Sequence, residues 1–145
     1  MPEGWGRIHL EVVTPERRVI REEVDETSAP GALGYFGVLP GHTPFLTTLG
    51  LGELGYRAGT QWRYLAIIWG YAEVLPTQVT ILAQTAEMAG EINIERAERA
   101  RRRAEERLHE WSTRGADIDF ERASAALRRA LIRLQVASKH RAPPA

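Results

Sequence analysis

The chain has 145 residues and no cysteine, and its 19 basic and 19 acidic residues give a formal net charge of zero. This length suits one ordinary domain or a small domain with an appendage. The absence of cysteine excludes a disulfide framework and a thiolate metal site, and the zero charge argues against a protein built to neutralise a phosphate backbone. The charge is uneven, because residues 1–88 carry ten acids and six bases whereas residues 89–145 carry nine acids and thirteen bases. Two structural units are therefore expected.

The sequence also bears on membrane association. Its first residues, MPEGWGRIHLEVV, lack the basic start and apolar centre of a signal peptide. The longest apolar stretch, at residues 65–72, is far shorter than the roughly 20 residues that cross a bilayer. We therefore expect a soluble chain that meets a membrane only through its partners.

The first unit, residues 1–88, has the pattern of short β-strands. Ile8, Leu10 and Val12 alternate with polar residues, as in a half-buried strand. Glycine- and proline-containing turns separate the apolar runs, at Pro30-Gly31, Pro40-Gly41, Gly50 to Gly55 and Gly59. This spacing predicts a small antiparallel sandwich or barrel.

The second unit, residues 89–138, has the pattern of two helices. From Glu91 onward strong helix formers dominate, and Arg114-Gly115-Ala116 is the natural turn between the helices. The least polar positions recur every three or four residues, at Ala97, Ala100, Ala104, Leu108 and Trp111, and at Phe120, Ala123, Leu127, Ala130, Leu134 and Ala137. Such narrow stripes predict an antiparallel helical hairpin. The predicted fold class is α+β, with residues 139–145 as a disordered tail.

The two predicted helices begin with related sequences. INIERA at residues 92–97 and IDFERA at residues 118–123 match in pattern, and each has a good N-cap residue, Asn93 or Asp119. An acid two residues later suits the positive end of a helix. Shared helix-start chemistry and a shared functional motif explain this repeat about equally well.

The charged first helix has three interpretations. Arg101-Arg102-Arg103 suggests nucleic-acid binding, but glutamates cancel the arginines almost one for one at helical spacings, as in a solvated helix. A structural hairpin is the second interpretation. Its alanine stripes bury little area, so the hairpin should be marginally stable and able to rearrange. The third is a polyanion site, because Arg96 and Arg103 share one helix face and Arg129 and Arg133 form an i,i+4 pair.

Four segments resemble one family. LGYFGVLPGHTPFLTTLGLGEL at residues 33–54 is similar to the glycine-rich loop and following strand of the epsilon subunit of bacterial-type F-type ATP synthase. GYAEVLPTQVTILAQTAE at residues 70–87 resembles the last sandwich strands of that family, and INIERA and DIDFERA resemble the starts of its two C-terminal helices. The segments occur in the family's order and span about residues 6–138.

The resemblance implies a β-sandwich of about ten strands followed by a mobile helical hairpin. It implies a non-catalytic subunit of the rotor's central stalk that binds the gamma subunit, sits on the c-ring and couples ring rotation to the alpha/beta catalytic head. The extended hairpin would inhibit ATP hydrolysis. The expected location is the cytoplasmic side of the bacterial inner membrane, held there through the complex, with no nucleic acid as a partner.

The resemblance also assigns a loop that faces the c-ring. This loop corresponds to SAPGALGYF at residues 28–36. Its expected ring contacts are Gly31, Leu33, Gly34, Tyr35 and Phe36. Many members of the family have a glutamate where Tyr35 stands, so an aromatic contact is expected in place of a polar one. Exposed Tyr35 and Phe36 would otherwise be unusual on a protein surface.

The hairpin has two further sets of expected contacts. The family's ATP-binding pattern falls on Glu87, Asn93, Arg96, Arg129 and Arg133, with Asn93 in place of an aspartate. No cofactor is required, and regulatory ATP is the expected ligand. The family's contact with an acidic motif on the catalytic head falls on Arg122, Arg128, Arg129 and Arg133.

Two rival classes remain for the chain. One is a free-standing β-sandwich with a helical tail that binds another protein or RNA. The other is a small enzyme that uses His42. A catalytic base needs a nucleophile or a second group within reach, and the sequence shows none beside His42. We therefore expect His42 to have a structural or interface role, with no catalytic and no metal-binding residues.

Overall fold

The computed structural model describes residues 6–114 and 119–141. The strands are β1 (Ile8–Val13), β2 (Arg18–Val24), β3 (Glu26–Gly31), β4 (Gly34–Val38), β5 (Phe45–Ala58), β6 (Gln61–Leu75) and β7 (Gln78–Met88). A 3₁₀ turn at Ala89–Glu91 leads to the helices α1 (Ile94–Arg114) and α2 (Phe120–Arg141). The α+β class, a sandwich followed by two helices, is confirmed.

The strands pair in the order β2-β1-β7-β6-β5-β3-β4. Every pairing is antiparallel except that of β1 with β7. The structure describes seven strands, whereas about ten were expected. The number is smaller because β5 and β6 run for 14 and 15 residues without a turn. Gly50 was predicted to begin a turn, but it lies inside β5, and pairing with β6 resumes on both sides of it.

Alternate residues of these strands fill one apolar core. Its largest fully buried side chains include Leu10, Leu54, Leu65, Ile67 and Ile81. The period-two pattern of β1 is confirmed, since Ile8, Leu10 and Val12 are buried and the residues between them are half-exposed. At about 25 cal/mol per Å² of apolar area removed from water, this core is the main source of the sandwich's stability.

Both helices begin with the predicted caps. The Asn93 Oδ1 atom accepts a hydrogen bond of 3.0 Å from the Arg96 backbone N–H, and the Asp119 Oδ1 atom accepts one of the same length from Arg122. Each cap satisfies a backbone donor that the helix itself leaves without a partner. The predicted turn at residues 114–116 extends beyond the described residues.

The second helix continues past its predicted end. We expected a disordered tail from residue 139, but α2 runs to Arg141, and the His140 ring lies against Gly90. Residues 142–145 lie outside the described part of the chain. The contact between hairpin and sandwich is small. Its buried members are Ala66, Ala89, Ile92, Val136 and Ala137.

Candidate functional site

The two helices enclose a groove beside the sandwich, which we call the arginine groove. Its volume is about 480 Å³. Facing alanines form its floor, namely Ala97, Ala100, Ala104, Ala123, Ala126 and Ala130. Because alanine carries only a methyl group, these stripes keep the helices close while leaving room between the longer side chains on either side.

Arginines from both helices form the walls of the arginine groove. They are Arg96, Arg103 and Arg107 from α1, and Arg122, Arg129 and Arg133 from α2. Glu87, Glu91 and Asn93 close the end nearest the sandwich. The structure therefore brings together all five residues that the resemblance marked for ATP: Glu87, Asn93, Arg96, Arg129 and Arg133.

Both glutamates of the arginine groove are already paired. Glu87 accepts a hydrogen bond of 2.7 Å from Arg133 Nε, and Glu91 accepts one of 2.7 Å from Arg17. The hydrogen bond from Arg17 is the main cause that lowers the pKa of Glu91. Among the described residues, the other five arginines of the walls form no salt bridge. The groove thus presents an excess of guanidinium donors suited to phosphate oxygens.

Sequence reasoning missed two members of the arginine groove. Arg107 and Glu91 were not predicted for any site, and Arg122 was assigned only to the catalytic head. A signal for Arg107 was present, because it follows Arg103 by one helical turn. Glu91 lies in the 3₁₀ turn between sandwich and helix, where no helical period applies.

The four arginines expected to meet the catalytic head are divided between two faces. Arg122, Arg129 and Arg133 line the arginine groove. Arg128 is exposed on another face of α2 and is not part of the lining. In this conformation Arg122 and Arg128 are exposed, and Arg129 and Arg133 are half-buried.

A second polar cluster joins α2 to the sandwich, and we call it the latch. The Glu53 side chain is buried, and the residue is 7% exposed. Its carboxylate accepts hydrogen bonds from Lys139 Nζ and, at 3.0 Å, from Gln135 Nε2. Lys139 Nζ also lies 4.4 Å from the centroid of the Tyr64 ring. The hydrogen bond to Glu53 raises the pKa of Lys139. Sequence gave no signal for a pair 86 residues apart.

The predicted ring-facing loop is the hairpin of β3 and β4, with Gly31 paired to Gly34. Leu33 at its tip is fully exposed. Phe36 was expected to be exposed, but it is partly buried and packs edge-on against Phe45 at 5.4 Å between ring centroids. Tyr35 is 62% exposed, and its hydroxyl accepts a hydrogen bond of 2.9 Å from the Glu53 backbone N–H.

An exposed apolar groove of about 670 Å³ crosses the sandwich where β5, β6 and β7 meet the end of β1. We call it the aromatic groove. Its lining includes Leu49, Trp69, Tyr71 and Leu82. Trp69 is 44% exposed and has a φ of +55°, a conformation that costs roughly 1–2 kcal/mol for a residue with a Cβ. Strain of this kind, at a large exposed apolar side chain, is typical of functional surfaces.

His42 is placed in a turn. Its Nδ1–H donates to the Thr43 carbonyl at 2.6 Å, and its ring centroid lies 6.3 Å from that of Phe45. This geometry suits a turn-fixing role. In the part of the chain that the structure describes, no cluster of three or more histidine, aspartate or glutamate side chains could hold a metal ion. Neither described helix is apolar enough to span a bilayer.

Comparison with known families matches the two units separately. Residues 7–89 match the family described as "ATP synthase, Delta/Epsilon chain, beta-sandwich domain". Residues 91–138 match "ATP synthase, Delta/Epsilon chain, long alpha-helix domain". The chain belongs to the delta/epsilon chain family of ATP synthase, which confirms the resemblance found in the sequence.

Similar proteins agree with this assignment. An ATP synthase epsilon chain of Syntrophobacter fumaroxidans is 58% identical over 133 residues, covering 92% of this chain and 97% of that protein. ATP synthase epsilon chain 2 of Syntrophotalea carbinolica is 51% identical, and the match covers 92% of this chain and 95% of that protein.

Two solved structures share the fold. A chain in the Euglena gracilis mitochondrial ATP synthase (OSCP, F1 and c-ring) aligns with a TM-score of 0.66 at 22% identity, covering 94% of this chain and 80% of that one. A chain in the central stalk and c-ring of the Tetrahymena thermophila mitochondrial enzyme aligns with a TM-score of 0.57 at 12% identity, with 93% and 96% covered.

Proposed function

We propose that this chain is the epsilon-type, non-catalytic subunit of the central stalk of a bacterial F-type ATP synthase. In this role it couples rotation of the c-ring to the alpha/beta catalytic head, and its helical hairpin restrains ATP hydrolysis. It is held at the cytoplasmic side of the membrane through the complex. The observation that carries the proposal is the match of both units, in order, to the delta/epsilon chain family.

The aromatic groove is the surface on which we place the gamma subunit. Trp69, Tyr71 and Leu82 offer apolar area that the chain itself leaves open to water. Burying such a surface against a partner would offset the backbone strain at Trp69. The tip of the β3–β4 hairpin, with Leu33 and Tyr35 exposed, is the contact with the c-ring.

The small area between hairpin and sandwich supports a mobile hairpin. The buried residues of that contact are mostly alanines, so few kcal/mol separate the docked arrangement from an extended one. Once extended, α2 would present Arg122, Arg128, Arg129 and Arg133 to an acidic surface of the head. In the docked arrangement Arg122 and Arg128 stay exposed, whereas Arg129 and Arg133 are half-buried.

ATP bound in the arginine groove would hold the hairpin docked. Arg96, Arg129 and Arg133 would contact phosphate oxygens, and Glu87 and Asn93 would contact the rest of the nucleotide. Asn93 lacks the charge of the family's aspartate, so we expect weak binding, since a charge-assisted hydrogen bond contributes about 1.5–3 kcal/mol. ATP acts here as a regulator that stabilises one of two conformations.

The test uses the matching catalytic head with gamma, and compares ATP hydrolysis with no addition, with the full chain, and with Trp69→Ala. We expect the full chain to bind and to slow hydrolysis. Trp69→Ala should bind at least tenfold more weakly, because truncation of a central aromatic anchor costs about 2 kcal/mol or more. Trp62→Ala, in an equally exposed residue outside the aromatic groove, is the matched control. Failure of the full chain to bind gamma would favour the free-standing binding module instead.

A further inference from the structure

The pairing of β3 with β5 is interrupted beside the latch. The two strands are in regular register up to Ser28 and pair again at Gly31, but the register shifts between these residues. Pro30 lies inside the interruption and has no backbone N–H to donate. The part of β5 that faces this gap lacks a complete ladder, so a backbone N–H there needs another partner.

The Tyr35 side chain fills the gap from β4, the edge strand of the sheet. Tyr35 pairs with Pro30 across the β3–β4 hairpin, and its hydroxyl oxygen accepts a hydrogen bond of 2.9 Å from the Glu53 backbone N–H. The hydroxyl can reach β5 because Gly52 has no side chain. A Cβ atom at Gly52 would come within 2.5 Å of both the Pro30 Cβ atom and the Tyr35 hydroxyl oxygen. Tyr35 therefore connects the edge of the sheet to the residue that carries the latch carboxylate.

Glu53 extends this connection to α2. Its carboxylate accepts hydrogen bonds from Lys139 and Gln135, and in the sheet it pairs with Ala66, which is buried in the contact with α2. The latch and the neighbouring apolar contact thus share one backbone position. Loss of the Tyr35 contact would leave the Glu53 N–H without this partner and would loosen the support of α2.

The Tyr35 hydroxyl is able to serve a partner at the same time. Tyr35 is 62% exposed, and among the described residues no acceptor takes its O–H. A hydroxyl that donates a hydrogen bond becomes a better acceptor, because linked hydrogen bonds polarise one another. An acceptor on a partner that covers this hairpin would therefore strengthen the bond from the Glu53 N–H instead of competing with it.

We propose that Tyr35 couples the contact with the c-ring to the docking of α2, so that each stabilises the other. This inference rests on the ring contact of the proposed function and assigns a regulation to it. A carbonyl or carboxylate oxygen of the ring would accept the Tyr35 O–H, tighten the bond from Glu53 and hold the latch closed. Because coupling between two sites is reciprocal, a closed latch would raise the affinity for the ring by the same factor. A chain detached from the ring would extend its hairpin more readily than one seated on it.

The first test is hydrogen exchange of the full chain on its own. Tyr35→Phe removes only the hydroxyl, and we expect it to accelerate exchange of the α2 amides by about two- to tenfold, the effect of one hydrogen bond, while the amides of β7 keep their protection. Tyr71→Phe is the matched control, because Tyr71 is 58% exposed and lies on β6 outside the latch and the β3–β4 hairpin. If exchange of α2 is the same in Tyr35→Phe as in the unmodified chain, the hydroxyl does not support the latch and the inference is wrong.

The second test compares the chain bound to saturating gamma alone with the chain bound to gamma joined to the c-ring. The ring should slow exchange of α2 by about two- to tenfold in the unmodified chain, and by less than about twofold in Tyr35→Phe. In the reverse direction, Lys139→Met should weaken binding of the ring by up to the same factor. Equal slowing in Tyr35→Phe, or a ring that leaves exchange unchanged or faster, would overturn the inference while the rotor role stands. A chain that does not bind gamma would overturn the proposed function, and this inference with it.

Discussion

At the scale of single residues, the docking of α2 depends on a carboxylate inside the sandwich. Glu53 is buried, and Lys139 and Gln135 satisfy it from the last turns of the helix. A buried carboxylate destabilises the folded state when it loses a hydrogen-bond partner, because the penalty for removing it from water is then no longer compensated. The latch therefore makes the docked hairpin sensitive to the last residues of α2, which the sequence had suggested were disordered.

Replacing Lys139 tests the latch. We expect Lys139→Met to weaken docking of α2 by about 1–3 kcal/mol, less than for a fully buried pair because the Lys139 side chain is 39% exposed. Hydrogen exchange of the α2 amides should then accelerate while the amides of β6 keep their protection. Lys139→Arg, which retains the charge, should weaken the docking of α2 by less. Unchanged exchange in Lys139→Met would show that apolar packing alone holds the helix. In Glu53→Gln, removal of Lys139 should have a much smaller effect.

At the scale of elements, Asp25 ties the corner between β2 and β3 to two other parts of the sandwich. Its Oδ2 atom accepts a hydrogen bond of 2.7 Å from the Gly59 N–H in the turn between β5 and β6, and Oδ1 accepts one of 3.2 Å from Arg7. The Gly59 N–H is the main cause that lowers the pKa of Asp25 below 3.8, and Arg7 and Arg57 add to it.

This lowered pKa predicts a dependence of stability on acid. The stabilisation by the Asp25 carboxylate is present in full above its ordinary pKa of 3.8 and is lost as the pH falls through the lower pKa of the folded state. Urea unfolding between about pH 5 and pH 2 should therefore have a shallower pH dependence in Asp25→Asn, by up to about one proton. Glu73→Gln, which removes an exposed carboxylate of β6, is the control. If the free energy of unfolding depends on pH equally steeply in Asp25→Asn and in the unmodified chain, Asp25 is not a source of the acid dependence.

The elements also show what sequence could predict and why the rest was beyond it. Local signals worked: Asn93 and Asp119 cap helices, and the spacing of alanines marked the faces that meet. Gly50 was misassigned because a glycine inside a long strand has the same local signature as a turn. The latch and the strain at Trp69 depend on contacts between distant segments, which local periodicity does not report.

For the whole molecule, the two faces of α2 allow inhibition and ligand binding to be separated. Arg128 is exposed outside the arginine groove, whereas Arg129 lines it. If the extended hairpin meets an acidic surface of the head through these arginines, both should contribute to inhibition. Only Arg129 should also contribute to ATP binding. Charge pairing of this kind weakens as salt screens it over a Debye length of about 10 Å at 0.1 M.

We therefore expect Arg128→Gln to weaken inhibition of ATP hydrolysis by about two- to fivefold, the effect of an exposed pair of about 0.5–1 kcal/mol, without changing ATP affinity. Arg129→Gln should weaken both the inhibition of ATP hydrolysis and the binding of ATP. Inhibition by the unmodified chain should fall as salt rises from about 50 mM to about 300 mM, and this dependence should be smaller in Arg128→Gln. The measurements are titrations of the catalytic head with each variant, and of each variant with ATP. If Arg128→Gln lowers ATP affinity as much as Arg129→Gln does, ATP binding is not confined to the face of α2 that carries Arg129. Inhibition and ATP binding could then not be separated by these two substitutions.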